Sequence, residues 1–152
     1  MSEYGVHWNF FLTLAGVALC TAAASPPPQA AGAAALALLA AHNTALAHGL
    51  EEYVVGTERD WEDIVSLNKE GLASLPAYWA LYLVGTVAGR ALLSEPALRG
   101  TAKQRAVQRV RAWRGRAAWL GAAAAALWGA TWLAAWLGLR PSRRLLNGPY
   151  VL

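Results

Sequence analysis

The sequence predicts an all-α fold: a polytopic transmembrane helix bundle of about four spans plus a short interfacial helix. Three observations predict it. No Asp, Glu, Lys or Arg stands in residues 4–50, 71–89 or 117–139. The composition is 57% hydrophobic and only 14% charged. What separates the apolar stretches is one proline run and two charge runs of opposite sign. A surface helix of a water-soluble domain needs a polar face, which these stretches lack. A bilayer span needs about 20 mainly apolar residues, which each nearly or fully supplies.

The first span is expected over about 6–24 and stops at SPPPQ, where Pro26, Pro27 and Pro28 cannot continue a helix. The second, about 30–50, is Ala-rich and carries His42, Asn43 and His48. The third, about 75–93, has Pro76 near its first turn, where proline is tolerated. The fourth, about 117–139, reads AAWLGAAAAALWGATWLAAWLGL. In the acidic loop 51–74, Thr57 and Asp60 have the spacing of a capping box, and Trp61, Ile64 and Val65 then share a face. That pattern predicts a short helix lying in the interface, with Trp61 at head-group depth. Trp8 and Tyr4 read as further interfacial anchors.

Charge sets the expected orientation. The acidic loop carries Glu51, Glu52, Glu58, Asp60, Glu62, Asp63 and Glu70 against Arg59 and Lys69. The loop 94–116 carries Arg99, Lys103, Arg105, Arg109, Arg111, Arg114 and Arg116, with Arg90 just before it. The positive-inside rule makes the basic loop cytosolic and the acidic loop lumenal, together with the amino terminus. Arg140, Arg143 and Arg144 fall on the minority side of that scheme. The net charge of +4 thus belongs to topology rather than to nucleic acid. RNA or anionic lipid are the other readings of the basic loop. No Lys or Arg precedes the first apolar stretch, so a signal peptide is not expected. A single cysteine, Cys20, excludes an intrachain disulfide framework.

Small and polar residues recur inside the spans. Asn9, Thr13, Gly16 and Cys20 form one stripe on the first; Gly85 and Gly89 make a G-x-x-x-G on the third; Trp128, Trp132 and Trp136 line the fourth. Helix packing accounts for all three, and no cofactor follows from them. His42 and His48 stand roughly 120° apart around a helix, and neither an H-x-x-x-H nor a Cys/His spacing occurs, so no metal site is expected. His7, His48 and Asn9 are nonetheless expected at the membrane face that carries Asn68, Lys69 and Glu70, with His42 and Asn43 one to two turns deeper. Polar groups from three segments would then gather on one side, which makes a convergent site a candidate.

The segments EYGVHWNFFLTLA, AHNTAL, SLNKEGLASLPAYWALYLVG and SRRLLNGPYVL, in that order, closely resemble successive segments of the GPI-anchored wall transfer protein family, the glucosaminyl-phosphatidylinositol inositol-acyltransferases. Asn147-Gly148-Pro149 departs from the family's usual NLP. The resemblance covers roughly the middle third of a family member. It implies a multi-pass enzyme of the endoplasmic reticulum membrane, with its polar motifs facing the lumen. The implied reaction moves a fatty acyl group from acyl-CoA to the inositol ring of glucosaminyl-phosphatidylinositol in GPI-anchor assembly. No cofactor beyond the acyl donor and no nucleic acid is implied. The partners are the two lipid substrates, the bilayer and the remaining helices of a full-length member.

On that resemblance, acyl transfer needs a base, oxyanion donors and groups that hold the substrates. His7 is the expected general base, with Asn9 or Asn43 donating to the oxyanion. Lys69 is expected at the substrate phosphate and Glu70 at the glucosamine ammonium, with His42 and Asn68 completing the substrate-binding set. The alternatives are a truncated, non-catalytic membrane module that packs with a complete acyltransferase, and a transporter fragment whose intramembrane His and Asn line a path.

Overall fold

The computed structural model describes residues 6–138 together with Leu145 and Asn147. Every regular element among these is helical: α1 (Phe10–Ala24), α2 (Ala31–Ala45), α3 (Glu51–Val55), α4 (Ile64–Leu67), α5 (Lys69–Leu93) and α6 (Ala102–Trp136). A five-residue kink, Leu46–Leu50, in which His48 and Gly49 leave helical geometry, joins α2 to α3. Three helical stretches are long and apolar enough to cross a membrane: Ala31–Val55, Lys69–Leu93 and Ala102–Trp136. At 15 residues, α1 is shorter; its rise of about 22 Å falls short of the roughly 30 Å hydrocarbon core.

Several boundaries differ from the expected ones, each for a local reason. The helix that contains the third apolar stretch begins at Lys69, ahead of residue 75, so Lys69, Glu70 and Gly71 of the NKEG motif lie in the first turn of α5 and Pro76 lies inside the helix. The expected capping box at Thr57 is not where the interfacial turn starts. Asp63 caps α4 instead, its carboxylate accepting from the Val65 and Ser66 amides. Trp61, Ile64 and Val65 are exposed there. The helix that contains the fourth apolar stretch extends back to Ala102 because Thr101 and Gln104 form a reciprocal capping box, which makes most of the basic loop helical. The first span starts at Phe10, where Asn9 caps it by accepting from the Leu12 amide at 3.0 Å. The Tyr4 anchor, the arginines at 140, 143 and 144, and Gly148-Pro149 lie outside the described residues.

α5 is the central element, packed along α2 and, less extensively, α1. Ala31 and Ala35, one turn apart on α2, meet Ala80 and Leu83 of α5, with Leu38, Leu39, Trp79 and Val87 around them. Small side chains let the two helix axes approach closely, the usual basis of helix association where lipid removes the hydrophobic driving force. At the other end of α2, Leu46, Val54 and Leu145 form a second buried cluster against Leu50 and Ala73.

The small stripe of α1 packs as its composition suggests. Thr13 is fully buried, and Gly16 lies so close to α5 that an added Cβ would fall 2.7 Å from Leu75. Phe10 meets Tyr78 edge-on, ring centroids 6.2 Å apart. The G-x-x-x-G of α5 does not: Gly85 and Gly89 face open space. Trp128, Trp132 and Trp136 of α6 are largely exposed.

Candidate functional site

The amino-terminal ends of α1 and α5 and the carboxy-terminal end of the α2–α3 stretch lie together, and the polar motifs converge there through hydrogen bonds. Asn68 is the one-residue joint between α4 and α5. Its side chain does not cap α5 but holds two strands of chain together. Its Nδ2 donates to the Ile64 carbonyl and its Oδ1 accepts from the His7 amide, both at 2.9 Å. The Val6 amide donates to the Leu67 carbonyl beside it. Residues 6–8 are therefore fastened across the start of α5.

Trp8 completes the fastening. Its indole N–H donates to Thr13 Oγ1 at 2.9 Å, and its ring covers Gly71, where an added Cβ would fall 2.3 Å from the indole Cγ. The glycine of NKEG is thus a packing requirement, since a larger residue would displace the indole.

Lys69 and Glu70, adjacent in sequence, are both almost fully buried and point to different partners. The Glu70 carboxylate, 0% exposed, is paired with Arg59: Nη2 to Oε1 at 2.5 Å and Nη1 to Oε2 at 3.3 Å. Arg59 Nη1 also donates to the Leu67 carbonyl at 2.9 Å. A bidentate guanidinium–carboxylate pair of this kind fixes both groups in one plane. The Lys69 ammonium donates to the Gly56 and Glu58 carbonyls at 2.9 and 3.1 Å and sits 4.9 Å from the Tyr53 ring centroid. The two side chains thereby pull the 56–59 segment onto α5.

These contacts shape an open cleft of about 610 Å³, lined by Glu52, Tyr53, Gly56, Thr57, Glu58, Arg59, Asp60, Ser66 and Lys69. Its size is that of ordinary small-ligand sites. Two cations, Lys69 and Arg59, form one wall, while the exposed Glu52, Glu58 and Asp60 form an acidic rim. Such an arrangement can receive a ligand that carries both an anionic and a cationic group. Among the described residues no cluster of His, Cys, Asp and Glu is placed to hold a metal ion.

The expected site residues divide into three groups. Asn68, Lys69 and Glu70 are brought together with the backbone of His7, whose imidazole is exposed. Asn9 stands at the same end, its side-chain oxygen engaged as the α1 cap. Of the expected site residues, Lys69 alone is in the cleft lining; His42 and Asn43 lie further along α2. The buried His42 donates from Nε2 to the Leu145 carbonyl at 2.7 Å, because a carbonyl can only accept, and this ties the carboxy-terminal segment to α2. Asn43 Nδ2 donates to the Leu39 carbonyl one turn back. His48 Nδ1 similarly bonds the Thr44 carbonyl.

Arg59 and Tyr53 are the residues that sequence reasoning missed. A solitary arginine within an otherwise acidic loop was the available signal, since a buried carboxylate requires a partner.

A family model described as GWT1 matches residues 1–152. A GPI-anchored wall transfer protein 1 of Gibberella zeae is 30% identical over 165 aligned positions, covering 100% of this chain and 31% of its own length. A phosphatidylinositol-glycan biosynthesis class W protein of Dictyostelium discoideum is 37% identical over 93 residues, 60% of this chain and 18% of its own. An uncharacterized protein of Arabidopsis thaliana is 42% identical over 89 residues, 59% of this chain and 20% of its own. The chain therefore spans less than a third of the length of each of these relatives. No solved structure matches.

Proposed function

The chain belongs to the GPI-anchored wall transfer protein family, and from that premise we propose that it carries the substrate-head-group site of an enzyme of GPI-anchor biosynthesis. The reaction in this reading is transfer of a fatty acyl group from acyl-CoA to an inositol hydroxyl of glucosaminyl-phosphatidylinositol, in the endoplasmic reticulum membrane. The observation that carries it is the junction at the end of three helices, where VHWN is tied to Asn68 and NKEG to the 56–59 segment, beside a cleft lined by Lys69 and residues of the 52–60 segment. The bilayer holds the acyl chains, and the cleft receives the polar head.

The chemistry divides among the residues as follows. His7 takes the proton of the attacking hydroxyl, the inositol oxygen adds to the thioester carbonyl, and the thiolate of CoA leaves and is protonated by the imidazolium. The His7 backbone is fixed to Asn68, the neighbour of Lys69, and its imidazole is exposed and so open to a substrate hydroxyl. Asn9, Asn43 and His42 are each committed to backbone groups, so in this reading they order the helices around the site. Lys69 Nζ, with two of its three protons given to carbonyls, keeps one for a phosphate oxygen. Glu70 holds Arg59 in the wall, and recognition of the glucosamine ammonium passes to the exposed carboxylates Glu52, Glu58 and Asp60.

The test is His7→Ala at the matching position of a full-length relative, assayed in microsomes with labelled acyl-CoA. Loss of a general base is expected to lower acyl transfer by about 100-fold or more at unchanged protein level. A wild-type rate removes His7 from the chemistry. The second reading is a non-catalytic membrane module that packs with a complete acyltransferase. It is favoured by the open face at Gly85 and Gly89. Replacing the matching segment of a full-length relative by this chain, in cells lacking the acyltransferase, decides between them, since only the first reading restores inositol-acylated GPI precursors.

A further inference from the structure

The basic segment between α5 and the apolar half of α6 has a geometry that the cleft does not use. Residues 117–136 of α6 contain no charge, and 20 helical residues rise about 30 Å, the thickness of a hydrocarbon core. The boundary this places at Arg116 is marked independently. The Arg116 guanidinium donates to the carbonyl of Ser94, the residue that ends α5, and lies 5.0 Å from the Trp113 ring centroid. Two spanning helices therefore reach the same level at residues 94 and 116. The helix continues outward from there as one rod to Ala102.

Arg109, Arg111, Arg114 and Arg116 occupy the first two turns beyond that boundary, within about 10 Å of it along the axis. Arg109 and Arg116, seven residues apart, fall on one side of the helix; Arg111 and Arg114 fall on the opposite side, since each residue advances roughly 100°. No acidic residue follows Glu95 in the sequence, and among the described residues none of these four arginines forms an ion pair. Val110 and Trp113, both about half exposed, sit between them. A pocket for a soluble anion concentrates its cations on one side. Arg109 and Arg114 line, with Arg105, an open groove of about 880 Å³, but Arg111 and Arg116 lie off it. Cations on both sides of a rod, within about 10 Å of its boundary and interleaved with apolar side chains, match a layer of negative charge that the rod passes through.

We propose that residues 109–116 form a guanidinium collar that binds the phosphate head groups of anionic phospholipids in the leaflet at that end of α6. Each guanidinium within the head-group layer adds to the attraction. Lys103 and Arg105 stand beyond a Debye length and contribute little. The collar fixes the depth and rotation of α6 and holds the end of α5 through the Arg116–Ser94 contact. The inference is independent of the acyl-transfer reading.

The experiment places the full chain in nanodiscs of phosphatidylcholine with 30% phosphatidylserine and measures, by native mass spectrometry, which lipid stays bound. Phosphatidylserine is expected to be enriched over its share in the disc. Substituting Arg109, Arg111 and Arg114 together by Gln is expected to return bound phosphatidylserine toward its share in the disc and so remove most of the enrichment. The corresponding triple Lys variant retains it, as does a Lys103→Gln, Arg105→Gln pair. For the unaltered chain, raising salt from 50 to 500 mM reduces the enrichment, a result that needs no variant. The proposal is overturned if the triple Gln variant, with unchanged helicity, retains lipid like the wild type. Equal loss from the distal pair overturns it too, as does displacement of phosphatidylserine by micromolar 3′,5′-ADP, the mark of a one-sided nucleotide pocket.

Discussion

Glu70 is the side chain on which the candidate site's geometry turns, because a carboxylate with 0% exposure must have its charge met from within. Arg59 meets it and in doing so fixes the 56–60 segment against α5. Removing one partner leaves the other charge buried and unpaired. Glu70→Gln is therefore expected to destabilise the fold by about 3–5 kcal/mol, read as a lowered thermal midpoint in detergent. Replacing both residues with Met is expected to recover most of that loss, since the desolvation penalty of both ions disappears. Equal destabilisation by the single and double variants would show that packing rather than charge holds the segment. Lys69 behaves differently at the same depth: its partners are backbone carbonyls and an aromatic ring, so no second side chain loses its counter-charge with it. The sequence marked both residues as polar groups at a membrane face. It did not mark Arg59, because a tertiary ion pair across a loop leaves no periodicity to read.

At the scale of elements, apolar length was legible and termini were not. The charge-free stretches located the three helical stretches of membrane-spanning length and the shorter α1, since lack of a polar face is a property of composition and survives any shift of register. Their starts depended on caps. Thr101 and Gln104 form a T-x-x-Q capping box, a stronger pattern than the T-x-x-D of Thr57 and Asp60, and it opens α6 fifteen residues before the apolar stretch begins. Asn68 at the start of α5 gives no capping bond, because its side chain is drawn to Ile64 and His7, so tertiary contact overrides the local rule. The break between α2 and α3 has a simple cause. Gly49 adopts φ 106°, a left-handed conformation, and His48 beside it is also non-helical. This turn carries the chain from α2 into the cleft-lining Glu52 and Tyr53. Gly49→Ala meets no steric neighbour, so any effect comes from the backbone alone, about 1–2 kcal/mol. It is expected to lower stability by that amount and to weaken the cleft rather than the Ala31–Leu83 contact. Unchanged thermal unfolding would indicate that the turn straightens without loss.

For the whole molecule, the distribution of contacts is uneven: α5 is covered on the sides facing α1 and α2, whereas the faces bearing Gly85 and Gly89 on α5 and the tryptophans on α6 meet nothing among the described residues. Lipid satisfies apolar side chains equally well, so exposure of the tryptophans alone identifies no partner. A glycine pair four residues apart is different, because glycine weakens a helix and is of use only where another backbone approaches. In this chain alone, Gly85→Ala is expected to be neutral or stabilising, by up to about 1 kcal/mol of helix propensity. At the matching position of a full-length relative, a neighbouring helix packed on that face reverses the sign. The substitution then destabilises, and Gly85→Leu does so more strongly. Thermal unfolding of both proteins in the same detergent measures the difference. A stabilising Gly85→Ala in both would show that this face meets lipid in both proteins.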